Sequence, residues 1–490
     1  MCTCFKILRD GLCRNLDNIA IVETDNKTEV TYGQLLGHIS YCQDLLQTNG
    51  LIKGDKVSIV GSNSLEWIVS YLSVTLLGGI VVPLSPLLSR ETQSDLILFS
   101  DVSLVIGEYS INRGEAKYIP MKDVLDPKER ICTSLIFNES VSEEDLQSII
   151  YTSGTSSSPK GVMLPYRSIS HNLLHAQSNM PLHVYDVICS FMPFHHSLGC
   201  MYNFLYPIAQ TAKNIIVKEK LSVASILQTC EQYHPSIIYT TPLIIEKIFQ
   251  LVNSRVNGSL SLLNSTLCEL LGGQLRELIV GGASLNVETE KKLLQAGFPI
   301  VVGYGMTECG PIVSYTKQEN YKFRSSGRVA KHLETYITDE KELLLKGESL
   351  FLGYFKDIEL TDRVFRNGWF CTGDRVEIEG EERTLYNIGR LKNMILGSNG
   401  QNIYPEEIEY LFNQLSYVES SVVIKRGNTL VALLHIIDSS LDNEYNERLL
   451  EDLKKINAQL PLYAQIKKIE IYTTDFERTQ KNEIKRYLYQ

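Results

Sequence analysis

Short runs of Val, Ile and Leu alternate with polar loops and helical patterns between about residue 55 and residue 305. Because such runs fill strands that are covered on both faces, the alternation predicts βαβ units and doubly wound parallel sheets. The predicted strands are 57–60, 80–83, 103–106, 148–151, 187–191, 214–217, 236–239, 275–280 and 299–302. Ligands of open α/β sheets bind at the carboxyl ends of strands, so the loops after Tyr151, Tyr239, Val280 and Val302 are the first candidates for chemistry.

The pattern changes twice towards the C-terminus. From about residue 336, shorter alternating segments predict a small antiparallel β-subdomain over residues 336–388. After Arg390, the pattern predicts helices at 405–415 and 443–460, strands at 421–425, 429–437 and 468–472, and a short terminal helix. This is an α+β unit large enough to fold alone. We therefore expect an N-terminal domain of residues 1–391 and a C-terminal domain of residues 392–490, with a hinge near Lys392.

One uncharged stretch, residues 67–84, is long enough to cross a bilayer. The pair Gly78-Gly79 interrupts it, and residues 80–83 have the pattern of a strand. A buried helix that leads into a buried strand is therefore the better interpretation. The first ten residues also lack the apolar core of a secretory signal, so we expect a cytoplasmic protein without a transmembrane segment.

Composition narrows the functional classes. The chain of 490 residues has 44% hydrophobic and 21% charged residues, a balance typical of globular proteins with several domains. A net charge of -10 argues against nucleic-acid binding, which requires an excess of Lys and Arg. The 11 cysteines are scattered and form no paired CxxC motifs, so we expect free thiols in a reducing compartment. Metal binding by Cys2 and Cys4 is the weaker alternative, because zinc sites normally need four ligands.

The first chemical signal follows the strand that ends at Tyr151. The segment reads Tyr151-Thr-Ser-Gly-Thr-Ser-Ser-Ser-Pro-Lys160-Gly-Val, a run of hydroxyl groups and glycine that ends in one lysine. Backbone N–H groups and hydroxyls in such a loop surround an anion, and the lysine adds positive charge for the outer phosphates of a nucleotide. A Ser-rich surface turn is the alternative.

This segment resembles the phosphate loop YTSGTTGxPKGV of the adenylate-forming superfamily, which includes acyl-CoA synthetases, luciferases and the adenylation domains of peptide synthetases. Three further stretches are similar to family motifs and occur in the family's order. They are Gly303-Tyr-Gly-Met-Thr-Glu308, Trp369-Phe-Cys-Thr-Gly-Asp374, and the hinge region from Gly389-Arg390 to Asn402-Ile-Tyr-Pro-Glu-Glu-Ile-Glu409. The resemblance implies an α/β N-terminal domain of doubly wound sheets with a small antiparallel β-subdomain, and a mobile C-terminal α+β lid.

The resemblance also implies the ligands ATP, Mg²⁺ and coenzyme A and a set of binding residues. Glu308 would hold Mg²⁺, in keeping with the preference of that ion for one or two carboxylates beside triphosphate oxygens. Solvation of Glu308 and capping of a turn by Asp374 are the structural alternatives. The residues implied in nucleotide binding or catalysis are Ser153, Gly154, Thr155 and Lys160 at the phosphates, Thr307 at the α-phosphate, Tyr304 and Gly305 at adenine, Asp374 at the ribose, and Gly282, Ala283, Arg390 and Lys392 elsewhere around the nucleotide.

The acid is expected to bind near His196, since Pro193-Phe-His-His196-Ser-Leu-Gly199 falls where family members have PL-x-H-x-x-G. A core histidine is the alternative. Amino-acid-activating relatives place an aspartate nearby, and none occurs between residues 192 and 206, so a plain carboxylic acid is favoured. Residues 240–242 and 281–283, with Tyr202 and Phe204, are the candidate pocket lining. Some segments most resemble bacterial long-chain acyl-CoA ligases, which makes a fatty acid the expected substrate.

One motif departs from the family. Family members end close to T-x-x-G-K-I-x-R, and the corresponding segment here places Glu483 at the position of the catalytic lysine. Two like charges about 4 Å apart repel by roughly 4 kcal/mol at an effective dielectric constant of 20, so adenylation should slow strongly. Lys481 or Lys485 replacing that lysine, protonation of Glu483, and loss of the first half-reaction are the open alternatives. The phosphate loop also has three serines where TTG is usual.

The sequence therefore predicts an AMP-forming acid–thiol ligase that activates a carboxylic acid and transfers it to coenzyme A. Transfer to the phosphopantetheine of an acyl carrier protein is the second possibility. A nucleotide-binding homologue that no longer adenylates is the third, because of Glu483. We expect a monomer or homodimer that binds its acid, ATP and coenzyme A as small molecules.

Overall fold

Two mostly parallel sheets form the large part of the computed structural model, which describes residues 1–112, 114–128, 130–132, 134–152, 159–217, 222–256, 259–396, 401–415, 417–427, 429–436, 443–478 and 484–489. Their strands are β1 (Ile19–Glu23), β2 (Glu29–Thr31), β3 (Lys56–Val60), β4 (Ile80–Leu84), β5 (Leu104–Gly107), β6 (Lys117–Pro120), β7 (Leu146–Thr152), β8 (Lys160–Pro165), β9 (Val187–Ser190), β10 (Lys213–Ile216), β11 (Ile237–Thr240), β12 (Glu277–Val280) and β13 (Ile300–Val302).

The strand orders are β6-β5-β3-β4-β7-β8 in one sheet and β13-β12-β11-β9-β10-β1-β2 in the other. All neighbours are parallel except the pairs β7 with β8 and β1 with β2. Every strand predicted in this region is present within about two residues of its expected ends. The doubly wound α/β fold class is confirmed.

The helices cover both sheets. They are α1 (Thr3–Leu12), α2 (Tyr32–Thr48), α3 (Leu65–Leu76), α4 (Arg90–Phe99), α5 (Tyr166–Asn179), α6 (Ser197–Cys200), which continues through a π-helical turn (Met201–Leu205) into α7 (Tyr206–Ala209), then α8 (Val223–Tyr233), α9 (Pro242–Asn253), α10 (Leu260–Leu270), α11 (Val287–Gln295), α12 (Ile358–Val364), α13 (Pro405–Phe412) and α14 (Asn443–Gln459). In the uncharged stretch 67–84, the buried helix α3 leads into the buried strand β4, as expected. Among the helices of the described residues, none is long and apolar enough to span a bilayer.

A third, antiparallel sheet follows. Its strands are β14 (Tyr304–Gly305), β15 (Ile312–Tyr315), β16 (Arg328–Val329), β17 (Leu333–Ile337), β18 (Glu342–Gly347), β19 (Phe365–Arg366), β20 (Trp369–Glu379) and β21 (Thr384–Arg390). The sheet is wider than the β-subdomain expected over 336–388, because it begins at Tyr304. Its early strands were missed since they are only two to five residues long.

The C-terminal residues form a separate α+β core. The strands β22 (Ile395–Leu396) and β23 (Asn402–Ile403) form a short hairpin, and β24 (Val418–Arg426), β25 (Thr429–Ile436) and β26 (Lys468–Tyr472) form a sheet that α13 and α14 cover. The expected terminal helix is a single 3₁₀ turn, Arg486–Leu488. Arg486 forms an ion pair with the buried Glu409 of α13, which ties the chain end to this core. The domain limits 1–391 and 392–490 stay a prediction.

Candidate active site

The predicted site residues converge where the carboxyl ends of β7, β12 and β13 meet the antiparallel sheet. Gly281, Gly282 and Ala283 follow β12, and the segment from Tyr304 to Glu308 follows β13. This is the edge at which parallel sheets bind ligands. Five predicted residues lie outside the described residues, and their expected roles stay predictions: Ser153, Gly154, Thr155, Lys481 and Glu483.

A buried carboxylate is the centre of the first cluster. Asp374 lies on β20 opposite Arg390 of β21, and its side chain is 2% exposed. The Tyr304 hydroxyl donates to Asp374 Oδ2 at 2.7 Å, and Arg390 Nε lies 2.9 Å from Asp374 Oδ1. Burial raises the pKa of the Tyr304 phenol well above its usual value, and the Asp374 carboxylate adds to the effect. Tyr304 therefore remains a donor, and the cluster offers an aromatic ring beside a carboxylate and a guanidinium.

The second cluster contains the predicted magnesium ligand. The Tyr354 hydroxyl donates to Glu308 Oε1 at 2.9 Å, and Lys160 Nζ lies 5.5 Å from the centre of the Tyr354 ring. Burial raises the pKa of the Tyr354 phenol, as does the neighbouring Glu308. Tyr354 was not predicted from the sequence, because it lies 46 residues from Glu308 and outside the motifs. It brings Lys160, from the end of the phosphate loop, to the same side as Glu308.

The loop with the predicted histidine is held from two sides. The Asn63 side chain donates to the Met192 carbonyl oxygen at 2.9 Å and accepts from the Phe194 N–H at 2.8 Å. On the other side, the hydroxyls of Ser197 and Thr307 are 3.1 Å apart. His196 occupies the N-cap position of α6, between these two anchors in the sequence. Neither Asn63 nor Ser197 was predicted, because each acts through a partner more than a hundred residues away in sequence.

His195 differs from its neighbour. The rings of His195 and His196 have centroids 4.3 Å apart. Burial lowers the pKa of His195 to about 3, and His196 adds to the shift. His195 is therefore neutral at physiological pH and suits packing rather than proton transfer.

Two of the glycines in the motifs have a steric reason. A β-carbon at Gly305 would lie 2.3 Å from the Pro311 carbonyl oxygen, so only glycine fits between β14 and the chain that returns to β15. Gly282 has a φ of +90°, which favours glycine, and a β-carbon there would meet no atom of the described residues within 4 Å. The backbone at Gly282 is therefore open to a ligand.

Side chains of the N-terminal sheets meet the C-terminal unit beside this site. Lys392 lies in the 3₁₀ turn Leu391–Asn393 that directly follows Arg390. Arg375, next to Asp374 in sequence, is 2.8 Å from Glu407 Oε1 and stacks on the Tyr404 ring at 3.2 Å. The predicted hinge therefore starts at the strand that carries a site residue.

The residues present fit a magnesium nucleotide. Among the described residues no group of three His, Cys, Asp or Glu side chains could hold a metal ion, while Glu308 offers one carboxylate. Mg²⁺ usually takes one or two carboxylates and completes its shell with water and phosphate oxygens. All 11 cysteines are free thiols in this structure.

The fold combines two mostly parallel sheets, an antiparallel sheet and a small α+β unit, and it brings together the Asp374 and Glu308 clusters. This combination is typical of the class of adenylate-forming enzymes. The family model described as AMP-binding enzyme matches residues 10–355, and the model of the AMP-binding enzyme C-terminal domain matches residues 392–489. The chain therefore belongs to the AMP-binding enzyme family, as its motifs indicated. At the level of class it is an AMP-forming acid–thiol ligase that uses ATP, Mg²⁺ and coenzyme A, as predicted.

Individual relatives are distant but match most of the chain. The 2-succinylbenzoate–CoA ligase of Bacillus licheniformis is 26% identical over 445 residues, which are 87% of this chain and 88% of the relative. The indoleacetate–CoA ligase of Aromatoleum aromaticum is 25% identical over 460 residues, 86% of each chain. The structure of ATP-bound MatB from Rhodopseudomonas palustris has a TM-score of 0.84 at 21% identity and covers 98% of this chain and 97% of its own. This last comparison confirms the fold.

Proposed function

We propose that this chain uses ATP to convert a carboxylic acid into an acyl-adenylate and then transfers the acyl group to coenzyme A. The observation that carries the proposal is the continuity of residues 304–308. One end of this short segment contacts Asp374 through Tyr304, and the other end places Glu308 beside Tyr354 and Lys160. A single loop thus links a cluster suited to adenosine with a cluster suited to phosphates.

In the first half-reaction, an oxygen of the acid's carboxylate forms a bond to the α-phosphorus of ATP. The bond from that phosphorus to the bridging oxygen breaks, and pyrophosphate leaves. Lys160 stabilises charge on the outer phosphates, and Thr307, fixed by Ser197, donates to the α-phosphate. Glu308 would hold Mg²⁺, which would neutralise further charge on the phosphate oxygens. Asp374 holds the ribose, so the α-phosphorus is positioned relative to the acid.

In the second half-reaction, the thiol sulfur of coenzyme A attacks the carbonyl carbon of the acyl-adenylate. The bond from that carbon to the phosphate oxygen breaks, AMP leaves, and the thiol proton passes to solvent. We assign His196 to the junction between the acid and the adenylate, and the anchors of its loop at Asn63 and at Thr307 support this assignment. Rotation of the C-terminal unit about Lys392 would open the path for the thiol.

The identity of the acid is a finer proposal. The resemblance to long-chain ligases favoured a fatty acid, whereas relatives that match most of the chain are named for 2-succinylbenzoate and indoleacetate. Both named acids contain an aromatic ring. We therefore place aromatic acids first and fatty acids second among the candidate substrates.

A second function, nucleotide binding without adenylation, is supported by Glu483 at the lysine position of the family motif. The two functions are separated by an assay of pyrophosphate release with aromatic and fatty acids for the wild type and for Glu483→Lys. Release by the wild type, dependent on the acid, supports the ligase. If only Glu483→Lys releases pyrophosphate, the binding function holds. A Lys485→Gln variant is the control for the neighbouring lysine.

A further inference from the structure

Two buried tyrosines lie between the helix that follows His196 and the sheet that carries Gly281. Tyr202 is in the π-helical turn that continues α6, and Tyr239 is on β11. Each is 1% exposed, and their rings stack with centroids 5.3 Å apart. Neither hydroxyl has a hydrogen-bond partner among the described residues.

The position of these tyrosines relative to the reacting groups follows from the strand register. Tyr239 pairs with Ile279 on β12, so the two side chains lie on one face of the sheet. Gly281, two residues after Ile279, continues that face, and a β-carbon there would lie 3.4 Å from Leu198. Leu198 thus covers Gly281 near the site, and Tyr202, four residues further along the same helix, covers Tyr239.

The helix sets how far the two tyrosines lie from the reacting groups. Ser197, whose hydroxyl contacts Thr307, precedes Tyr202 by five residues, which places Tyr202 roughly 7 Å further along the helix axis. A chain of several bonds beyond the reacting carboxylate would therefore bring an acid's far end to the tyrosines.

Burial of a hydroxyl without a partner costs free energy, since the group loses its hydrogen bonds to water and gains none within the protein. An ordinary fatty acid would leave both hydroxyls unsatisfied, because its distal carbons cannot hydrogen-bond. Tyr206, next on the same helix, shows the contrast: its hydroxyl donates to the Met180 carbonyl oxygen at 2.6 Å and lies 3.0 Å from that of Ala176.

Resting on the proposed function, we propose that the acid carries a second oxygen function, a carbonyl, hydroxyl or carboxyl group, that binds the hydroxyls of Tyr202 and Tyr239. The substrate class is then an oxygenated acid, aromatic or aliphatic, and not a plain fatty acid. Burial raises the pKa of both phenols, so they act as neutral donors and acceptors.

The test compares acids that share a skeleton and differ in the distal oxygen: benzoylpropanoic acid against phenylbutanoic acid, and octanedioic acid against octanoic acid. We expect wild-type kcat/KM for thioester formation to favour the oxygenated member of at least one pair by about tenfold or more. Tyr202→Phe and Tyr239→Phe should each reduce that preference by about tenfold, the value of one hydrogen bond of roughly 1.4 kcal/mol. Because neither hydroxyl has a partner in the described part of the chain, these variants should unfold at the same urea concentration as the wild type or a higher one.

Tyr206→Phe is the matched control, since it removes a hydroxyl with partners from the same helix. It should lower stability and leave the preference between acids unchanged. Equal kcat/KM within both pairs for the wild type, or an undiminished preference in both phenylalanine variants, overturns the proposal. If no acid releases pyrophosphate, the proposed ligase function fails, and calorimetric affinities of the same acids with AMP present then decide the inference: equal affinities overturn it.

Discussion

Asn63 gives the sharpest test of how the site is assembled. It extends from the loop after β3, in one parallel sheet, to the loop after β9 in the other. Its amide donates to the Met192 carbonyl oxygen and accepts from the N–H of Phe194, which is 1% exposed. The same loop ends at His196, so we expect Asn63→Ala to affect the reaction as well as the fold.

The magnitudes follow from the two hydrogen bonds. Each neutral bond contributes about 0.5–1.5 kcal/mol, so Asn63→Ala should lower the free energy of unfolding by about 1–3 kcal/mol. A displacement of about 1 Å in a positioning loop can reduce catalysis by about a hundredfold, so we expect kcat/KM for the acid to fall by roughly ten to a hundredfold. Asn63→Asp keeps the acceptor for Phe194 but loses the donor to Met192, and it should recover part of the loss.

Asn138→Ala is the matched control. Its side chain also donates to one backbone carbonyl, that of Leu77 at 3.0 Å, and accepts from one backbone N–H, that of Ser140 at 3.1 Å. Leu77 precedes β4 and thus lies at the amino end of the sheet, away from the site. Urea unfolding and thioester formation are measured for both variants. The reasoning is refuted if Asn63→Ala and Asn138→Ala lose similar stability and keep the same kcat/KM for the acid.

Three further predictions concern the metal, acid pH and the C-terminal core. Glu308→Gln should slow pyrophosphate release by about a hundredfold and raise the Mg²⁺ concentration needed for half-maximal rate; an unchanged Mg²⁺ titration would contradict its role. Burial lowers the pKa of His175 from 6.5 to about 4 and that of His332 to about 3, so the unfolded chain binds more protons than the folded chain below pH 6.5. The urea midpoint should therefore fall as the pH drops from 7 to 5. This fall should be smaller in the double variant His175→Gln, His332→Gln. Arg486→Leu leaves the buried Glu409 without its ion-pair partner and should destabilise the C-terminal core by about 3–5 kcal/mol. Hydrogen exchange should show this loss as faster exchange of the amides in that core. The double variant Glu409→Leu, Arg486→Leu should recover most of the lost stability.

The strands of the parallel sheets could be predicted because continuous Val, Ile and Leu runs have few other uses in a protein of this composition. The sequence did not predict β8, which pairs with β7 along its length. The strand begins at Lys160, and this lysine also ends the motif of the predicted phosphate loop. The predicted start of the antiparallel sheet lies too far towards the C-terminus, because β14 has only two residues, too few to show an alternating hydrophobic pattern.

Local motifs predicted candidate site residues whose chemistry would be carried by their own side chains, such as Asp374, Glu308 and Lys160. Tyr354 and Asn63 escaped because their importance lies in contacts across the fold: Tyr354 lies 46 residues from Glu308, and Asn63 lies 131 from Phe194. No spacing rule links such positions, since their distance is set by the packing of two sheets. The hydroxyls of Tyr202 and Tyr239 could not be predicted from the sequence either. That they have no hydrogen-bond partner among the described residues follows only from the three-dimensional positions of all buried polar atoms.

Folding and turnover depend on different residues in this chain. The cores that hold the three sheets consist of buried apolar side chains. They do not include Lys160 and Thr307, the described residues that are predicted to contact phosphate. A carboxylate at position 483 can therefore reduce adenylation without loosening the parts of the chain that form the Asp374 and Glu308 clusters. It follows that Glu483→Lys should leave the urea midpoint and the affinity for AMP close to those of the wild type while changing the rate of pyrophosphate release. A change in AMP affinity by more than about tenfold would show that the two properties are coupled after all, because a tenfold change equals about 1.4 kcal/mol of binding energy.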